Sequence, residues 1–177
     1  MQNYQRIQRI SRFMQHFCTF LIWFLPLLII SIWFVFDDLL FALVKETVAI
    51  KSDHFSFTAR LLACLVNLVP VGLLVYGLSR LRDLFRLYQA SQIFGQENTQ
   101  ALLSFARLLF AYAIAKPIAS AVISVIVTFN NPPGERQLVL TLSSNDLGVF
   151  FISAVFLIIA WVMAEAHKLA QDNAQIV

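Results

Sequence analysis

The sequence has few of the residues that build metal, disulfide or catalytic sites. Two cysteines, three histidines and 13% charged residues are spread over 177 positions. Cys18 and Cys64 fall near opposite ends of two successive apolar stretches, too far apart for a disulfide, so each is interpreted as a small buried apolar residue. The motifs HExxH and GxSxG and a glycine-rich phosphate loop are all absent. We therefore expect a protein that is not an enzyme and that holds no cofactor or metal ion.

Apolar residues, by contrast, dominate the chain. They make up 59% of it, and the mean hydropathy of +0.75 lies far outside the range of a soluble domain. Four apolar stretches each approach the roughly 20 residues that a helix needs to cross a bilayer. The composition predicts an all-α integral membrane protein whose single membrane domain covers residues 1–177. The four predicted transmembrane helices are residues 13–36, 61–79, 108–129 and 147–164.

Basic residues are distributed unequally between the two sides of the predicted membrane. The side with more Lys and Arg in short loops is normally the cytoplasmic one, which here predicts that both termini are cytoplasmic. The topology thus accounts for the excess of basic residues and for the sequence pI of 9.1. The basic pI is therefore not evidence for direct nucleic-acid binding. The eight basic residues on the predicted inner side are Arg6, Arg9, Arg12, Arg80, Arg82, Arg86, Arg107 and Lys168, and the four outside are Lys45, Lys51, Arg60 and Arg136.

The connecting segments have different patterns on the two sides. Residues 80–107 keep the helical spacing of apolar residues, with arginines on the other side, which predicts a cytoplasmic helical hairpin. The outer loops, 37–60 and 130–146, combine turn residues with alternating polar and apolar positions, so we expect a small β-like cap there. Three of the four spans are expected to be kinked, because they contain Pro26, Pro70 and Pro117.

The third span carries two parallel ridges of small or polar residues. Ala111, Ala115 and Ala119 are spaced four apart, and such small residues let another helix approach closely. We expect this helix to be the centre of the bundle or of a homo-oligomer interface. The polar ridge beside it, also spaced four apart, consists of Tyr112, Lys116, Ser120, Ser124 and Thr128.

Lys116 is the only full charge deep within the four apolar stretches, and three interpretations of it remain open. It can extend its ammonium group toward the interface, form a structural pair with Glu165, or serve a substrate or proton site in a polar cavity. Asn67, one turn before Pro70, is placed to bond with the polar ridge. The candidate intramembrane polar site therefore contains Lys116, Tyr112, Ser120, Ser124, Asn67 and Glu165.

The charged end of the hairpin suggests a surface for membrane lipid or for a cytoplasmic protein partner. The simpler interpretation is two helices that continue past the membrane and pack on each other. A non-enzymatic regulatory or interaction protein is the leading hypothesis, and a small oligomeric transporter or channel that uses the Lys116 ridge is the alternative. The candidate docking residues are Arg82, Arg86, Glu97, Asn98 and Lys168.

Three short segments resemble the DUF2975 family of bacterial four-span membrane proteins: Gln92 to Asn98 (QIFGQEN), Leu142 to Leu147 (LSSNDL) and Val162 to Asn173 (VMAEAHKLAQDN). The chain departs from the family pattern at Asp172, where Glu is more frequent, and at the position of Gly95. The resemblance implies a multi-pass protein of the inner membrane with no established activity. Some members are encoded beside small helix-turn-helix regulators, which implies a DNA-binding regulator as a partner.

Overall fold

The chain forms four long helices, which we call α1 to α4. The structure, a computed structural model, describes residues 2–36, 39–40, 44, 55–90, 95–129, 131–132, 134 and 136–174, with side chains between residues 6 and 169. The helices are α1 (Gln2–Phe34), α2 (Phe57–Gln89), α3 (Gln96–Thr128) and α4 (Ser144–Ala174). Pro26, Pro70 and Pro117 lie inside α1, α2 and α3, where each ring removes one backbone hydrogen bond.

Each of the four helices is long and apolar enough to cross a membrane, so the chain is a multi-pass membrane protein. Most of the predicted hairpin, residues 80–89 and 96–107, is a direct extension of the two apolar stretches, because α2 continues to Gln89 and α3 begins at Gln96. Amphipathic extensions of this kind bury their apolar side on each other.

The helices form a row in which each one packs on its neighbours in sequence. Among the described residues, α2 packs on α1 and α3, and α4 packs on α3. We call the end where α1 and α3 begin and α2 and α4 end the terminal end, and the opposite end the loop end. At Gly77 the α2 backbone comes close to α3, since an added Cβ would lie 3.4 Å from the Leu108 Cβ atom.

Two apolar clusters hold the row together. The loop-end cluster includes Trp33 of α1, Cys64 of α2 and Val127 of α3. The terminal-end cluster joins three helices and consists of Leu84, Leu102, Ala106 and Ala160. Because Ala160 of α4 shares this cluster with Leu102 of α3, and the Phe156 ring lies 5.8 Å from that of Phe105, α4 lies beside the terminal half of α3 and not beside its whole length.

The loop-end half of α3 therefore packs on α2 and, where α4 does not reach, binds an extended segment, residues 136–143. The expected β-like cap is not supported, because the described parts of both outer loops contain no strand. The physical reason is that the alternating residues of this segment bond to α3 and not to a second strand. The first-loop residues with strand patterning, 47–51, lie outside the described residues, and Phe57 and Thr58 already belong to α2.

Candidate functional site

Lys116 pairs with Asp146 at the start of α4. The Lys116 Nζ atom donates to Asp146 Oδ1 at 2.5 Å, and the two side chains are 39% and 10% exposed. A charge in an apolar environment is costly unless an opposite charge and hydrogen bonds compensate it. The pair therefore satisfies the lysine and fixes the first turn of α4 beside the middle of α3.

Asp146 is held for this role by a reciprocal cap at the start of α4. The Ser143 N–H and hydroxyl donate to Asp146 Oδ2 at 3.0 and 2.6 Å, and the Asp146 N–H donates to Ser143 Oγ at 3.2 Å. This is a capping box, in which a serine and an acid three residues later satisfy each other's backbone. One carboxylate oxygen thus caps the helix while the other accepts from Lys116.

Two hydroxyls of the polar ridge bind the extended segment. The Val139 N–H donates to Ser124 Oγ at 2.9 Å, and the Gln137 N–H donates to Thr128 Oγ1 at 3.1 Å. Both hydroxyls also donate to carbonyls within α3, to Ala121 O and Ser124 O respectively, at 2.7 Å. Donors that a neighbouring strand would satisfy are therefore satisfied by helix side chains.

The segment runs down α3 from the loop end toward Lys116. Thr128 and Lys116 are about 18 Å apart along the helix, and the segment contacts the hydroxyls at one end while Asp146 reaches Lys116 at the other. Its leucines point away from α3: Leu138 is 74% exposed, and Leu140 and Leu142 are 61% exposed. The polar ridge is thus covered by backbone, and the segment presents leucine side chains outward.

The other members of the candidate polar site do not join this network. Glu165 is exposed and lies on α4 about 28 Å from Asp146. Of the three open interpretations of Lys116, the pair with Glu165 is therefore wrong, and the register of α4 is the physical reason. Asn67, Tyr112 and Ser120 are partly buried, and none of them forms a hydrogen bond with another described residue.

The sequence carried a signal for the true partner of Lys116. The order Ser143, Ser144, Asn145, Asp146 is a capping-box pattern before an apolar run. Recognising the cap places a carboxylate at the first turn of the fourth helix. Hydropathy gives the length of an apolar stretch but not its alignment with a neighbouring helix. The depth of that first turn therefore could not be predicted.

At the terminal end, α2 and α3 enclose a charged groove of about 570 Å³. Four of its residues are charged and carry both signs: Arg80, Asp83, Arg86 and Glu97. The Arg80 guanidinium lies over the Tyr76 ring at 5.0 Å and donates to its hydroxyl at 2.5 Å. The remaining lining residues are Leu87, Ala90, Gln100, Ala101 and Ser104. We call this feature the interhelical groove.

The structure distributes the five candidate docking residues over four environments. Arg86 and Glu97 line the interhelical groove. Asn98 is buried, with 2% exposure, and is therefore not part of an exposed surface. Arg82 forms a long ion pair with Asp83, at 3.8 Å, and Lys168 is exposed near the end of α4.

The last turns of α4 extend beyond the start of its neighbour α3. Fourteen residues of α4 follow Ala160, whereas only six residues of α3 precede its neighbour Leu102. At 1.5 Å per residue, α4 projects about 12 Å beyond the first turn of α3. Glu165, Lys168 and Leu169 are exposed in this region. We call residues 165–174 the projecting end of α4.

Within the described part of the chain, no group of three His, Cys, Asp or Glu side chains is placed to hold a metal ion. Cys18 and Cys64 are both buried free thiols. Cys18 lies at the middle of α1, and Cys64 belongs to the loop-end cluster.

Comparison with protein families supplies one match. The family described as protein of unknown function, DUF2975, matches residues 47–177. The chain belongs to the DUF2975 family. Neither a curated protein nor a solved structure matches it. The DUF2975 match includes α2, α3 and α4, and hence the Lys116–Asp146 pair, the interhelical groove and the projecting end of α4, whereas α1 precedes it.

Proposed function

We propose that this DUF2975 protein is a non-enzymatic interaction protein of a bacterial inner membrane, and that a cytoplasmic protein docks at its terminal end. The observation that carries the proposal is the projecting end of α4. A helix needs no such extension to cross a bilayer, and its exposed Lys168 and Leu169 offer a partner both a charge and an apolar contact.

The distribution of charge supports a cytoplasmic terminal end. Arg6, Arg9 and Arg12 of α1 and Arg82 and Arg86 of α2 all belong to that end, and no comparable group lies at the described part of the loop end. Loops rich in Lys and Arg stay in the cytoplasm during insertion. A partner at this end is therefore cytoplasmic, and the family resemblance favours a small DNA-binding regulator.

The alternative function is a small oligomeric transporter or channel that uses Lys116. The observed contacts favour docking over this alternative, because Asp146 compensates the Lys116 charge and the hydroxyls of Ser124 and Thr128 are bonded to the chain itself. An oligomer through α3 would use its remaining exposed side, since α2 and α4 cover two others.

Photo-crosslinking in intact cells tests the proposal. A photoreactive residue at Lys168 or Leu169 is expected to form an adduct with one defined protein, while the same residue at Trp161, exposed on the apolar part of α4, gives lipid adducts only. Reversing the charge of Arg82 or Lys168 should weaken the adduct formed at Leu169. Absence of any protein adduct at both positions would contradict the docking function.

A further inference from the structure

The interhelical groove lies at the border between the apolar and charged parts of α2 and α3. Arg80 is the first charge after the apolar stretch that ends at Ser79, and Ser104 lies across from it on α3. From there the groove continues toward Ala90 and Glu97 at the terminal end. This border is the depth at which phospholipid headgroups meet a transmembrane helix.

Exposed apolar residues lie on the same side of both helices, about 16 to 27 Å beyond the inner end of the groove. On α2, Val69 and Leu65 lie 14 and 18 residues before Asp83, and on α3, Ile118 and Val122 lie 14 and 18 residues after Ser104. Such spacings keep residues on one side of a helix. All four side chains are exposed, by 63%, 54%, 55% and 42% in that order. A charged groove with exposed apolar residues further along the same side suits a phospholipid, whose acyl chains extend away from its headgroup, whereas a soluble ligand would not contact those apolar residues.

The charges of the groove select among headgroups. Two guanidinium groups, Arg80 and Arg86, suit a phosphate, because guanidinium donors match phosphate oxygens. Two carboxylates, Asp83 and Glu97, suit an ammonium group and disfavour a headgroup that carries only negative charge. Arg86 and Glu97 form no ion pair with each other or with another described residue, so both remain available to a ligand.

The lining also discriminates between primary and quaternary ammonium groups. A quaternary ammonium has no N–H donor and is typically bound by aromatic rings, but none of the nine lining residues is aromatic. A primary ammonium donates three hydrogen bonds, for which two carboxylates and the Gln100 side-chain oxygen are suitable acceptors. The volume of about 570 Å³ falls within the range of small-molecule sites.

We propose that the interhelical groove is a binding site for a zwitterionic phospholipid with a primary amine, of the phosphatidylethanolamine class. Arg80, oriented by Tyr76, and Arg86 bind the phosphate, and Glu97 and Asp83 bind the ammonium group. The acyl chains lie along the exposed apolar surface of α2 and α3. The site is separate from the projecting end of α4 and independent of docking there.

Native mass spectrometry of the purified full-length protein tests the site. After exposure to an equimolar mixture of phosphatidylethanolamine and phosphatidylcholine, the protein should retain the former about tenfold better, as expected for one charge-assisted hydrogen bond. Glu97→Gln should remove this preference, and Arg86→Gln should lower retention of both lipids. Glu165→Gln and Arg12→Gln are the matched controls on α4 and α1, and they should leave the ratio unchanged.

Three results would overturn the proposal. Equal retention of the two lipids would show that the carboxylates do not select the primary ammonium group. Stronger retention of phosphatidylglycerol would mean that the arginines form a general contact with anionic lipids. Displacement by millimolar soluble phosphoethanolamine would assign the groove to a free ligand instead of a lipid. If a groove variant does not fold, the ratio of phosphatidylethanolamine to phosphatidylcholine retained by the wild-type protein decides the question by itself.

Discussion

At the scale of single residues, the environment of Lys116 depends on where its partner comes from. Glu165 and Asp146 are both acids of the fourth helix, and sequence spacing does not distinguish them as partners. The structure places Asp146 in contact because Ser143 already holds its carboxylate at the first turn of α4. A carboxylate fixed by a cap loses little side-chain entropy when it pairs with the lysine.

Removing either charge of the pair should destabilise the protein by a measurable amount. We expect Lys116→Met and Asp146→Asn each to cost about 1.5 kcal/mol, at the lower end for hydrogen bonds to charged groups, because the lysine is 39% exposed. Unfolding in detergent by heat or denaturant gives the values. In a double-mutant cycle the combined variant should cost less than the sum of the single variants. Strict additivity would show that the two side chains do not interact in solution.

At the scale of elements, α3 packs on α2 in both halves but has a different second neighbour in each half. Its terminal half packs against α4, and its loop-end half binds the extended segment through Ser124 and Thr128. The polar ridge was predictable from spacing, because residues four apart share one side of a helix. Its partner was not predictable, since the same hydroxyls suit a neighbouring helix and an extended backbone equally well.

The two hydroxyls should control the protection of the extended segment. Ser124→Ala should expose the Val139 N–H, and Thr128→Ala the Gln137 N–H, because each removes the acceptor of that donor. With roughly 1 kcal/mol per bond, hydrogen exchange over residues 136–143 should accelerate about fivefold. Ser120→Ala is the matched control, since Ser120 makes no hydrogen bond with the described residues. Equal acceleration in all three variants would contradict the assignment.

Two glycines of α2 differ in their surroundings and give a matched test of helix packing. A Cβ at Gly77 would meet Leu108 at 3.4 Å and Phe105 at 3.7 Å, whereas nothing lies within 4 Å of one at Gly72. Gly77→Leu should therefore cost about 1–3 kcal/mol by overpacking the contact with α3. Gly72→Leu should be neutral or slightly stabilising, because leucine is the better helix former. Thermal unfolding of both variants measures the difference. An equal loss of stability in the two variants would show that α2 does not contact α3 at Gly77.

At the scale of the whole molecule, four helices and their order follow from hydropathy, but their relative depth does not. The apolar stretches of α2 and α4 have similar lengths, which predicts that the two helices cross the membrane at the same depth. The structure instead sets α4 closer to the terminal end, because the Lys116–Asp146 pair and the packing of Phe156 on Phe105 fix its position on α3. Side-chain contacts of this kind are not encoded in any periodicity of the sequence.

Cysteine labelling in intact cells tests this arrangement together with the proposed orientation. In a background that lacks Cys18 and Cys64, Ser56→Cys at the loop end should react with a membrane-impermeant maleimide from outside. Ala166→Cys, at the projecting end of α4, should react only after permeabilisation.

The depth of the extended segment is tested by Thr141→Cys, which should react several-fold more slowly than Ser56→Cys although both residues are exposed. Thr141 lies between the depths of Ser124 and Lys116, and a thiol in hydrocarbon ionises poorly. Rapid labelling of Thr141→Cys would show that the extended segment lies in water. It would contradict the inference that α4 starts at the depth of Lys116 within the membrane.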